Sequence, residues 1–109
     1  MHSRPVFHFD GWTFDTGRRA LLRPDGEEVT LTSGEFDLMT VFCLYPQQTV
    51  SRLSELAMID GRIFRTNDRA LDVQISRLRA KIEKNPRLPA IIKTVRHGGY
   101  FFSCPVSKS

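Results

Sequence analysis

The chain has 109 residues, with 16 lysines and arginines against 12 acids and a net charge of +4. That length suits one domain, which removes roughly 60–70% of its unfolded surface from water. A mean hydropathy of -0.28, two distant cysteines and no run near the ~18 apolar residues of a membrane span argue against a membrane protein, a disulfide framework or a secretory leader. A reducing, cytoplasmic setting is expected. No His/Cys group has metal-ligand spacing, no glycine-rich loop could cradle a phosphate, and no nucleophile has a recognisable base. Neither an enzyme nor a cofactor is expected, and no metal.

The charge is unevenly placed. Residues 1–61 carry five basic and nine acidic side chains, whereas residues 62–97 carry ten basic ones and only Asp68, Asp72 and Glu83 as acids. A basic segment on an acidic one is the footprint of a polyanion-binding face, with nucleic acid the first candidate.

Residues 6–31 read as four short strands. Phe7 and Phe9 alternate with His8, and Trp12 and Phe14 alternate with Thr13, which gives a sheet with one buried face. Asp10-Gly11 suits a two-residue turn, since both centres of a type I′ turn need positive φ. Thr16-Gly17 and Pro24-Asp25-Gly26 mark the next turns. Thr32-Ser33-Gly34-Glu35 then has the pattern of a capping box. The helix it opens is apolar all round, so it is expected to be buried on several sides, and Cys43 reads as a core residue. It stops near Tyr45-Pro46. Gln47–Val50 reads as a connector, Ser51 as the cap of a short second helix with Leu53, Leu56 and Ala57 inward, and Ile59–Thr66 as a loop. A third helix, capped by Thr66 or Asn67, runs to about Lys84. Two apolar runs, Ile91–Val95 and Tyr100–Phe102, flank Arg96-His97-Gly98-Gly99 and close the chain as a hairpin.

The third helix carries the functional signal. Leu71, Ile75, Leu78 and Ile82 form its core stripe at helical spacing. The opposite face holds Arg69, Val73, Ser76, Arg77 and Ala80 instead of the usual Glu, Lys and Gln. An arginine fork can take the O6 and N7 of guanine, a valine can meet a thymine methyl, and small residues let the backbone approach the groove floor. Gln74, at one flank, could read adenine; Arg79 and Lys81 lie at the margins, where phosphates pass. Two other uses of this basic surface stay open: an RNA or single-strand binder, stacking bases on Tyr100-Phe101-Phe102, and a protein-interaction module for an acidic partner.

Helix, short helix, basic helix and hairpin is the winged helix-turn-helix order. The runs Leu31–Met39, Val50–Arg52, Asp68–Ile82 and Ile92–Tyr100 together resemble the effector domain of OmpR/PhoB-type response regulators, over about residues 6–103. The resemblance implies an α+β fold: an N-terminal four-stranded antiparallel sheet, three helices and a C-terminal wing. Residues 1–5 become a linker or tail, 6–104 the DNA-binding domain, and 105–109 a C-terminal tail. It implies sequence-specific double-stranded DNA binding in the control of transcription. Arg69, Val73, Gln74 and Arg77 become base readers, with Ser76 standing where some members carry arginine. Arg79 and Thr94 become phosphate contacts, and Arg96 the wing arginine. Arg62, Ile63, Phe64 and Arg65, in the loop before the third helix, become a contact for RNA polymerase. His97 replaces a glycine often found beside the wing arginine. A receiver domain and a sensor kinase are implied, neither on this chain. The isolated domain is expected to be a monomer that pairs head-to-tail on direct repeats.

Overall fold

The computed structural model describes residues 4–50, 68–96 and 99–109. Strand β1 (Val6–Phe9) pairs antiparallel with β2 (Trp12–Asp15), placing Phe7 opposite Phe14 and Phe9 opposite Trp12. Alternation then buries all four aromatics on one face. Asp10 and Gly11 join the strands with φ of 46° and 83°, the left-handed pair that lets a two-residue turn follow the twist of its strands. β3 (Ala20–Leu22) and β4 (Glu28–Val29) continue the meander.

This sheet has five strands, in the order β4-β3-β2-β1-β8, where four were expected. The added strand, β8 (Ser107–Lys108), comes from the expected C-terminal tail and lies along β1, with the Ser109 amide donating to the Val6 carbonyl at 3.0 Å. Val106 packs against the core just before it, which steers the polar end of the chain onto the free edge of β1.

Helix α1 (Ser33–Leu44) begins at the expected capping box. The Glu35 amide donates to Thr32 Oγ1 at 3.2 Å, and the Thr32 amide donates to Glu35 Oε1 at 2.9 Å. Residues 35 to 43 of the helix are all buried, the free thiol of Cys43 among them. The helix ends as the Tyr45 amide donates to the Val41 carbonyl. The expected connector contains a strand, β5 (Thr49–Val50), because Val50 is a core residue and its backbone is taken up by the wing. The expected second helix from Ser51 and the loop with Arg62, Ile63, Phe64 and Arg65 lie outside the described residues.

The expected third helix is here α2 (Asp68–Ile82), the second of two helices among the described residues; its side chains are described from Leu71 on. Leu71, Ile75, Leu78 and Ile82 are its buried stripe. It stops at Ile82, two residues short of expectation, because the Glu83 carboxylate turns back to serve the chain that follows. Oε1 accepts from the amides of Ala90 and Ile91, and Oε2 from those of Ile91 and Ile92, at 2.7–3.0 Å. That chain enters β6 (Ile92–Thr94), which pairs antiparallel with β7 (Tyr100–Phe102). With β5 they make a second sheet of order β5-β7-β6. Phe102 is fully buried, 5.0 Å from the ring of Phe9 and 5.6 Å from that of Phe42, so it joins the two sheets and α1 in one core.

Candidate nucleic-acid interface

With the stripe of α2 turned inward, the 100° step of a helix decides where its other residues go. Val73, Ser76, Arg77 and Ala80 fall within an arc of about 100°, and all four are exposed, Val73 by 44%. An open valine between a serine, an alanine and an arginine, on a helix whose other side is packed in the core, is a low surface with one cation at its edge. The side chain of Arg69 lies outside the described part of the first turn.

Beside this arc, α2 is fastened to the hairpin. Tyr100 donates its hydroxyl proton to Asp72 Oδ1. Arg79 donates from Nε and Nη2 to the Ile92 carbonyl at 3.0 and 2.8 Å, and again from Nη2 to Thr94 Oγ1 at 2.8 Å. Its guanidinium carbon lies 5.7 Å from the centre of the Tyr100 ring. Two residues expected to hold phosphates, Arg79 and Thr94, are thus brought together, and the arginine is spent largely on the hairpin. The hairpin presents Lys93, Thr94 and Arg96 to solvent, and the Val95 amide closes it by donating to the Gly99 carbonyl at 3.1 Å. His97 lies outside the described residues.

On the opposite flank of the arc two side chains turn toward α1. Lys81 leaves the margin and reaches α1, donating to the Thr30 carbonyl at 2.8 Å and forming an ion pair with Glu35. Glu35 is almost fully buried, and that burial alone would push its carboxyl up. The Lys81 hydrogen bond, the Thr32 amide and the Lys81 charge together outweigh it and hold the group below its ordinary value. Gln74, expected to read adenine, is half-buried with its amide against Gly34, because its position on the helix faces the start of α1. Sequence reasoning also missed Asp72 and Glu83, which tie the hairpin to α2. Glu83 left a signal: a carboxylate at a helix C-terminus faces the negative end of the dipole and needs compensating donors.

Burial excludes Phe102 from any stacking platform for single strands. Among the described residues no group of His, Cys, Asp or Glu could hold a metal ion, and no helix is long and apolar enough to cross a membrane.

The sequence profile of the family described as "Transcriptional regulatory protein, C terminal" matches residues 26–102. Regulatory protein VirG of Agrobacterium fabrum is 42% identical over 106 residues, covering 97% of this chain and 42% of VirG. Aerobic respiration control protein ArcA of Escherichia coli is 40% identical over 96 residues, covering 88% of this chain and 40% of ArcA. The chain therefore spans about two fifths of the length of these relatives. Among solved structures, the DNA-binding domain of RstA from Klebsiella pneumoniae, in complex with RstA box, is similar at a TM-score of 0.73 and 34% identity. The match covers 90% of this chain and 96% of that one. The DNA-binding domain of CpxR from E. coli is similar at a TM-score of 0.71 and 30% identity, covering 92% of this chain and 97% of the other.

Proposed function

This chain belongs to the family of transcriptional regulatory protein C-terminal domains, of OmpR/PhoB type, and from that premise we propose that it binds double-stranded DNA sequence-specifically as the effector domain of a two-component response regulator. The observation that carries the reading is the open Val73/Ser76/Arg77/Ala80 arc on α2, set beside a basic hairpin that the helix itself holds in place. α2 enters the major groove, where Arg77 and Val73 meet the bases; Arg69 is assigned the same role by the family resemblance, its side chain lying outside the described residues. The hairpin is the wing, and the exposed Arg96 is assigned to the neighbouring minor groove, whose negative potential attracts arginine. Thr94, with what donor capacity Arg79 has left, meets phosphate between the two.

The finer parts of the assignment rest on the same reading. A contact with RNA polymerase is assigned to Arg62, Ile63, Phe64 and Arg65, which lie outside the described residues. The receiver domain belongs to the part of the relatives' length that this chain does not span, and a sensor kinase acts on that receiver. Two copies pair head-to-tail on direct repeats. A cytoplasmic setting suits two buried thiols in the reduced state.

The test is a titration against a duplex selected from a random pool, repeated at several salt concentrations. The logarithm of the binding constant should fall against the logarithm of salt by about 0.9 per phosphate contacted. A flat response, or tighter binding to the separated strands, rejects the major-groove reading in favour of a single-strand or protein partner.

A further inference from the structure

Gln74 is held in an unusual place. Its amide lies where the side chain of residue 34 would be: a Cβ built on Gly34 would stand 2.5 Å from Gln74 Oε1, 2.8 Å from Cδ and 2.9 Å from Nε2. Glycine alone leaves that room. Yet the position is a poor one for an amide, because Oε1 is shut off from water and has no hydrogen-bond partner among the described residues. Two donors of the α1 first turn are already engaged, the Glu35 amide on Thr32 Oγ1 and the Phe36 amide on the Thr32 carbonyl. A buried carbonyl without a donor forfeits the bonds it had in water. Packing holds Gln74 against α1, and hydrogen bonding favours its release.

Gln74 also sits between Val73 and Ile75, on the flank of the exposed arc. From there a change of side-chain torsions moves its amide out to the groove, where both ends of the amide find partners. We propose that Gly34 is a positioning residue for DNA recognition: by leaving space at the start of α1 it lets Gln74 retract from the reading face, so that the free protein holds this side chain in reserve and contact with DNA draws it out. This rests on the assignment of α2 as the recognition helix. Only the fraction of molecules with Gln74 already released binds without first moving it, and apparent affinity is reduced by that fraction.

Gly34→Ala closes the space. The atoms it would meet are the far end of a flexible side chain, so Gln74 yields and α1 does not. Gly34 lies inside the helix and outside the left-handed region, so alanine suits its backbone. The experiment compares the full chain, Gly34→Ala, Gln74→Ala and the double variant on the selected duplex, on its single-base variants and at several salt concentrations. Gly34→Ala should bind severalfold tighter, up to about tenfold if the released state is populated about a tenth of the time. The gain should vanish in the Gln74→Ala background, and the salt slope should not move, since glutamine is uncharged. In the NMR spectrum the Gln74 side-chain amide should shift to solvent-exposed values in Gly34→Ala. Gln74→Met, which keeps the packing and deletes the orphaned carbonyl, should raise the melting temperature. An unchanged affinity with folded protein, or an equal gain in both backgrounds, overturns the proposal while leaving DNA binding intact. Loss of duplex preference by the unaltered chain overturns both.

Discussion

Arg77 and Leu78 are neighbours on α2 with opposite surroundings, one exposed and the other fully buried. Truncating them should therefore separate recognition from folding. Arg77→Ala should melt like the parent protein, bind its preferred duplex about 1–3 kcal/mol more weakly and lose preference at one or two base pairs. Leu78→Ala should instead destabilise the fold by about 2–5 kcal/mol, since it opens a cavity in the core. Thermal melting beside affinity for single-base variants of the duplex reads both. Glu35 gives a second test at this scale. Its carboxyl titrates below the ordinary glutamate value because Lys81 and the Thr32 amide favour the charged form strongly enough to outweigh burial. The folded state thus binds the proton less readily than the unfolded state. The ion pair contributes its full stability above the unfolded value and loses it as pH falls through the lowered folded one. Melting temperature should drop with acid across that window in the parent, and the drop should be shallower in Glu35→Gln.

The elements show which local signals were legible and which were not. Asp10-Gly11, the Thr32/Glu35 capping box and the Leu71/Ile75/Leu78/Ile82 stripe each depend on residues within a turn or two of one another, and each forms as its sequence implies. Strands β5 and β8 are two residues long and take their character from remote partners, Phe101 and Tyr100 for one, Phe7 and His8 for the other. Neither has a period of its own to read. The interface divides likewise. The arc from Val73 to Ala80 follows from helical phase alone, whereas the turning of Gln74 and Lys81 toward α1 depends on where another helix starts, at Gly34 and Glu35. Because β8 covers the edge of β1, deleting residues 107–109 should lower stability by about 1 kcal/mol, the order of one or two net hydrogen bonds. It should also increase self-association, as the bared strand offers its backbone to a second chain. Melting and sedimentation velocity of the truncated protein measure the two effects.

At the scale of the whole molecule, acids concentrate in residues 1–61 and bases in residues 62–97, two segments of opposite sign along the chain. Such an imbalance is compatible with the proposed head-to-tail pairing on DNA, but exposed charges screened by salt are weak alone. Sedimentation should accordingly give a monomer without DNA and two copies on a duplex with two direct repeats; a stable dimer in free solution would contradict the arrangement. The fastening of α2 to the hairpin has one more consequence. The Glu83 carboxylate on three successive amides, Arg79 on Ile92 and Thr94, and Tyr100 on Asp72 join helix and wing as one stiff piece. If helix and hairpin dock in adjacent grooves as proposed, such a piece works as a caliper: it gauges the angle through which the duplex turns from one groove to the next. Binding should then carry a dependence on helical twist that no inventory of base contacts contains, so that an underwound plasmid and a relaxed one should present the same letters at different strengths.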